Sequence, residues 1–476
     1  MSGTITINST DLINAVKPQL LQMPEITLQP CSYIIYTDGT TVYAKNGVTG
    51  QIDFSDNDAS TVLQAILDKV SVQKKSVIYI AEGIYPMSRG VTIRSNVYIK
   101  GSMSAPNFLN YPPNMWTTGT VLDVRNAPKN EKIFYVDTVN FNYQNFNKVR
   151  IENILVYGDN NGDWRGIGFW CDGYESSRGF DSVELVNFNT ERTAGGLLLR
   201  NSTQALIDRC FFHGANPGID TSTLPRSPES IYANVYIESL IEDNRITQLQ
   251  ACCMPANQKS TGVRIRDMKR SVIDRISVYN ISQGIGILMD YIRTTKIGIL
   301  EANDMTTYAT VGQSIVASFQ EGTKIDSLLI YNQDRDSSFI WTFDGATVPV
   351  DLLYIYDGLG NGFGANITRK LVIRHAVLKG TTRTPNLSSW TPIPVIHNMV
   401  DNTIRGLKNT GVAIISAGTT SVTVNHGLPL APSRVIVTPT SNIGSVWVSN
   451  ITSTQFTINC STVPSTNTTV YWYAET

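Results

Sequence analysis

An aliphatic residue followed by an acid recurs along the middle of the chain: Ile151-Glu152, Val183-Glu184, Ile207-Asp208, Ile241-Glu242, Ile273-Asp274 and Ile325-Asp326. Successive acids lie 32, 24, 34, 32 and 52 residues apart, the last being two ordinary gaps. If each repeat is one turn of a coil, the acids form a column with a step of about 4.8 Å. Neighbours such as Glu152 and Glu184 would then stand near the roughly 5 Å separation of a retaining glycosidase pair, and alternate turns would suit an inverting one. Glu152, Glu184, Asp208, Glu242 and Asp274 are therefore candidate catalytic acids. The same acids also read as turn caps that accept backbone N–H bonds at tight bends. Arg150, Arg209, Arg245 and Arg275 lie nearby to offset the like charge.

A second constellation comes from aligning short strands that begin at Gly or Asn: "GFWCD" (168–172), "GLLLR" (196–200), "NVYIE" (234–238), "GVRIR" (262–266) and "GILMD" (286–290). Alternation sends Phe169/Cys171, Leu197/Leu199, Val235/Ile237, Val263/Ile265 and Ile287/Met289 inward. It sends Trp170, Leu198, Tyr236, Arg264 and Leu288 outward, beside a row Asp172, Arg200, Glu238, Arg266, Asp290 whose charge alternates in sign. One reading is a ladder of exposed ion pairs that favours this register at little energy per pair. The other is a polar groove that binds a glycan, with the aromatic faces of Trp170 and Tyr236 under sugar C–H groups. Asp172, Arg200, Glu238, Arg264 and Arg266 would then bond its hydroxyls.

These rows need a scaffold. Self-similarity with a period of 24–34 residues, made of short β-type runs with almost nothing helical, predicts a solenoid of β-coils. A chain of 476 residues with 16% charged residues fits an all-β solenoid with polar turns and an end domain. The net charge of -1 argues against a nucleic-acid partner. The start, Met1-Ser-Gly-Thr-Ile-Thr-Ile, has no basic stretch followed by an apolar core, and no apolar run reaches the roughly 18 residues that would span a bilayer. Neither a secretion signal nor membrane insertion is expected. Cys31, Cys171, Cys210, Cys252, Cys253 and Cys460 show no CxxC spacing and no metal-type pairing with histidine. They read mostly as small buried hydrophobes, with no metal and no cofactor. His213, His375, His397 and His426 build no Ser/His/Asp set.

Thr10–Leu21 is a short helix candidate weakened by Pro18. "SYIIYTDGTTVYAK" (32–45) predicts a hairpin about Asp38-Gly39. In "QIDFSDNDASTVLQAILDKV" (51–70), Asp58 or Ser60 can cap a helix with Val62, Leu63, Ile66, Leu67 and Val70 on one face. An open solenoid requires such a cap, because its first turn would otherwise expose its core.

The block Gly50–Gly101 resembles the opening of the pectate-lyase-like right-handed parallel β-helix proteins. An Asp-rich turn leads into the helix, followed by a strand, an (A/P)-x-G-x-Y turn at Ala81, Gly83 and Tyr85, and the first coils. The resemblance is specific in that block and diffuse to about residue 385. Polygalacturonase-like members carry Asn-Thr-Asp, an Asp-Asp pair and Gly-His-Gly. None occurs here, and Asn189-Thr190-Glu191 is the nearest echo. Pectate lyases pair a calcium-binding acid cluster with a catalytic Arg, and the spacing of Asp267 with Arg264 and Arg266 does not single them out for that role. After Gly406, short alternating strands between Gly, Pro, Ser and Asn turns predict a small β-sandwich, and this tail resembles the C-terminal β-domains of viral fibre and spike proteins.

The expected architecture is all-β: an N-terminal attachment region with a hairpin (1–47), a helix-capped right-handed single-stranded parallel β-helix (48–385), a linker (386–405) and a β-sandwich (406–476). The resemblance implies a tailspike-like virion protein at the virion surface, homotrimeric, docked to other virion proteins through its N-terminal region and binding host-surface polysaccharide. The alternatives are a polysaccharide depolymerase acting as hydrolase or lyase on host-surface glycan, and a cellular polysaccharide-active enzyme with no virion role; the alternative location is extracellular.

Overall fold

A computed structural model describes residues 31–70, 76–102, 119–143, 147–176, 179–214, 218–224, 232–254, 260–281, 284–303, 312–331, 339–342, 347–357, 366–368, 371–380, 395–401, 408–428 and 431–475. The helix expected over Thr10–Leu21 lies outside them.

The hairpin forms between Tyr33–Thr37 and Val42–Asn46. The Asp38 carboxylate closes its turn by accepting the amides of Thr40 and Thr41 at 2.9 and 2.8 Å. Tyr33–Thr37 also pairs in parallel with Ser76–Ile80, the first coil strand, so the hairpin and the coil share one sheet. The one α-helix among the described residues, Ala59–Val70, buries Val62, Leu63, Ile66, Leu67 and Val70 against that first coil. Asp58 caps it: its carboxylate accepts the Ser60 amide at 2.9 Å and also ties down Ser88, thirty residues on. The turn at Ala81, Gly83 and Tyr85 follows. Gly83 sits at φ +151, where a Cβ would meet the Thr37 methyl at 3.0 Å, and the buried Tyr85 hydroxyl donates to the Ala81 carbonyl at 2.9 Å.

From there the chain winds as a right-handed parallel β-helix. One column of strands runs through Val97–Gly101, Lys148–Tyr157, Ser182–Thr193, Cys210–Gly214, Leu249–Met254, Val272–Ile281, Lys296–Asn303, Lys324–Tyr331, Val348–Asp357 and Leu371–Gly380. It continues with Val395–Asp401, which adds a parallel step inside the span expected to be a linker. The facing column includes Lys132–Val136, Ile167–Asp172, Gly195–Ser202, Tyr232–Leu240, Ser260–Met268, Gly284–Ile292 and Gly312–Phe319. The inward rows read from alternation are inward: Phe169, Leu197, Val235, Val263 and Ile287, with Cys171, Leu199, Ile237, Ile265 and Met289, are all fully buried. Gly196, second in its strand, has no room for a side chain, since a Cβ there would meet the Phe212 ring at 2.6 Å.

The C-terminal residues form two three-stranded antiparallel sheets. Lys408–Ile415 and Arg434–Pro439 flank Thr468–Glu475, while Ser421–Asn425 and Val446–Ser449 flank Gln455–Cys460. Ile415, Phe456, Ile458, Val470 and Trp472 build a core of their own between the sheets.

Candidate functional site

The charged row lies in the register that alternation predicts: Asp172, Arg200, Glu238, Arg266 and Asp290 face one another on successive coils. Arg200 bridges its two neighbours, with Nη1 2.9 Å from Asp172 Oδ2 and Nε 2.8 Å from Glu238 Oε2. Glu238 also accepts Arg266 Nη1 at 3.1 Å and the Tyr236 hydroxyl at 3.1 Å. Asp290 pairs instead with Arg264, two residues back along the Arg266 strand, at 2.7 Å.

The expectation of an exposed face is corrected. Asp172, Arg200, Tyr236 and Arg264 are fully buried, and Trp170 is only 7% exposed. Over Trp170 and Tyr236 the cover comes from the chain that leads into the Glu238 strand and from the start of that strand. Ile219, Leu224 and Ala233 pack on Trp170, Leu198 and Tyr236 as a satellite apolar cluster. The Lys132 ammonium closes the remaining side of Trp170, 4.1 Å from its ring centroid. Trp170 and Tyr236 therefore present no open face. Burial pushes the Asp172 carboxyl above the usual carboxylate range despite the adjacent Arg200.

What reaches solvent is the end of this row. Asn201, Ser239, Asp267 and Tyr291, each following a charged residue of the ladder, all hold left-handed backbone (φ +49, +56, +51 and +55). That conformation is unusual for a bulky aromatic such as Tyr291. Because successive coils bend at the same point, Ser239, Asp267 and Tyr291 come together at a cleft of about 340 Å³, which Tyr174, Glu238, Arg266, Arg293 and Gln320 complete. Its lining is polar or aromatic throughout. Arg293 donates to Asp267 at 2.8 Å, Tyr174 and Ser239 share a hydroxyl contact of 2.5 Å, and the Arg266 guanidinium lies 5.8 Å from the Tyr291 ring centroid. Of the seven residues expected to hold a glycan, only Glu238 and Arg266 line this cleft. Sequence reasoning missed Tyr174, Ser239, Tyr291, Arg293 and Gln320. For Ser239 and Tyr291 the available signal was position, one residue after a charged member of the ladder.

The acid series does not form one column. Glu184 stands opposite Arg150 and Leu206, whereas Glu152 stands opposite Lys100 and Val186, and Val186 opposite Asp208. Coils differ in length, so equal position in the sequence signature is not equal register. Arg150 joins Glu152 and Glu184 at 2.6 and 2.9 Å, and Glu152 also takes the Tyr98 hydroxyl. Asp208 pairs with Arg209 at 3.1 Å and Asp274 with Arg245 at 3.0 Å. Glu242 lies outside any strand at another corner, bonded to Arg270. Glu191, from the Asn189-Thr190-Glu191 echo, faces His213 on the next coil, 2.8 Å from Nδ1, with both side chains buried. Among the described residues no group of three or more His, Cys, Asp and Glu side chains is placed to hold a metal ion.

The family described as rhamnogalacturonase A/epimerase, pectate lyase-like, matches residues 45–285, just over half of the chain. No curated protein matches it. Among solved structures, the tailspike gp61 of the Pseudomonas phage phi297 is similar at 9% identity and a TM-score of 0.35, covering 87% of this chain and 91% of that one. DFA-IIIase from Arthrobacter chlorophenolicus, solved with GF2, is similar at 11% identity and a TM-score of 0.38, covering 73% and 90%. A tailspike of an Acinetobacter baumannii bacteriophage, solved with capsular saccharide, is similar at 11% identity and a TM-score of 0.28, covering 88% and 93%. Similarity this low does not carry function from one chain to another.

Proposed function

The chain belongs to the rhamnogalacturonase A/epimerase, pectate lyase-like family, and on that footing we propose that it is a glycan-binding β-helix of the tailspike kind, holding a saccharide in the cleft between Tyr174 and Tyr291. The observation that carries this reading is the lining of the cleft. Two tyrosines, two arginines, two carboxylates, a serine and a glutamine surround about 340 Å³. Saccharides are bound by this combination of charge-assisted hydrogen bonds and aromatic faces. A place on a virion surface, as a homotrimer docked through the N-terminal region, completes the proposal, supported by the fibre-like texture of the C-terminal strands.

Binding is favoured over cleavage by the state of Glu238. Three donors, Arg200, Arg266 and Tyr236, hold its two oxygens. A carboxylate so engaged has its oxygens committed to protein donors, leaving little of it to serve a reacting group on a bound sugar. Asp267 is then the one lining carboxylate with substantial exposure, and hydrolysis by a carboxylate pair needs two.

The test is a printed array of bacterial surface and capsular polysaccharides, with product analysis of every glycan bound. The proposal expects binding that Tyr291→Ala and Arg266→Ala each weaken about tenfold or more without eliminating it, with no new reducing ends or unsaturated products. Binding unaffected by both substitutions would remove the cleft from the account. Cleavage lost on Asp267→Asn would make the protein a depolymerase.

A further inference from the structure

We propose that Arg200, which no ligand in the cleft can touch, is the positioning residue that sets the cleft's shape. This rests on the reading of the cleft as a saccharide site. Arg200 is fully buried beneath the floor, yet it contacts two lining residues directly. Its Nε donates to Glu238 at 2.8 Å, and its guanidinium lies 4.7 Å from the Tyr174 ring centroid. Each contact leads to a further lining group: Glu238 holds Arg266 at 3.1 Å, and Tyr174 holds Ser239 at 2.5 Å. On its far side Arg200 is anchored by Asp172 at 2.9 Å.

A planar guanidinium suits this task because it can serve a carboxylate on each side and a ring on its face at once. It also balances charge. Without Arg200, Glu238 keeps Arg266 and the Tyr236 hydroxyl as its partners, and Arg266 is drawn inward toward the uncompensated carboxylate, away from solvent. Tyr174 loses the flat surface beneath its ring. Arg200 thus acts on a ligand only through Arg266 and Tyr174.

The experiment pairs structure with affinity on the full chain, using Arg200→Gln and the milder Arg200→Lys, each checked for an intact fold by circular dichroism. Crystal structures of both variants are expected to keep the coil register while Arg266 and Tyr174 move from their wild-type positions. Affinity for whichever polysaccharide of the printed array gives the strongest wild-type signal is expected to fall about tenfold or more in Arg200→Gln, the scale of one lost charge-assisted hydrogen bond. It is expected to fall by less in Arg200→Lys. In an Arg266→Ala background, Arg200→Gln should lower affinity much less than in the wild type, because the effect routed through Arg266 is already gone. A merely structural role would lower affinity equally in both backgrounds, and that result would overturn the proposal. So would unmoved Arg266 and Tyr174 in the variant crystals. Wild-type protein that binds no glycan on the array defeats the saccharide reading instead, while the crystals still decide whether Arg200 positions the cleft.

Discussion

Arg264 and Asp290 show what a charge buried on the outer face of the coil demands. Arg264 is fully buried and meets the carboxylate of Asp290 at 2.7 Å. Asp290 in turn takes the Ser318 hydroxyl at 3.2 Å. Removing Asp290, which is partly exposed, strands the fully buried Arg264, so Asp290→Ala is expected to lower the free energy of unfolding by about 2–4 kcal/mol, toward the lower end of a buried pair, read from the denaturant midpoint. Asp58 gives the pH dependence. Burial alone would raise its carboxyl, but hydroxyl and amide bonds from Ser60 and Ser88 outweigh it and hold it below the usual carboxylate range. A depressed folded value contributes stability above the unfolded value, near pH 3.9, and that contribution is lost as pH falls through the folded value. Asp58→Ala should therefore cost about 0.5–2 kcal/mol at pH 7, and the gap to wild type should narrow in denaturant titrations taken toward pH 3. The thiols make a third case. Burial raises Cys171 well above its ordinary value and pushes Cys210 up to about 12. Neither should react with iodoacetamide at pH 8 until the chain is unfolded, as peptide mapping of the labelled protein would show.

The capping helix and the coil strands were the most legible elements, for a common reason. Their burial follows a short period that the sequence displays directly: Val62, Leu63, Ile66, Leu67 and Val70 at helical spacing, and the inward pairs from Phe169/Cys171 to Ile287/Met289 at strand spacing. Ile66→Ala should cost about 2–5 kcal/mol because Ile66 is fully buried between helix and coil, and the loss would appear as a lower unfolding midpoint. Register of the charged ladder was legible too, since the starting Gly or Asn marks the same step on each coil. Two features were not. The acid signature hid its misregister because turn lengths vary, so that Glu184 falls opposite Arg150 rather than Glu152. Burial of Trp170 and Tyr236 was hidden because their cover comes from residues such as Ile219 and Leu224, which have no periodic relation to the strands they shield. The cleft itself was half legible: Glu238 and Arg266 belong to the ladder, whereas Ser239, Asp267 and Tyr291 owe their places to left-handed bends. Ser, Asp and Tyr do not advertise that conformation as Gly does.

At the scale of the molecule the described residues build two large cores. The coil core runs from Tyr33 to Ala376, and a separate core occupies the two C-terminal sheets. Independent cores predict independent cooperativity, so a fragment of residues 406–476 should fold alone, with a single cooperative thermal transition and a β-type circular dichroism spectrum. The central claim is that a saccharide occupies the cleft at the end of the buried ladder. It is tested most directly by a crystal structure of the full chain with the strongest-binding glycan of the array. The account predicts sugar between Tyr174 and Tyr291 within hydrogen-bond distance of Arg266 and Arg293. Sugar bound elsewhere on the coil or on the C-terminal sheets, with this cleft empty, would contradict it.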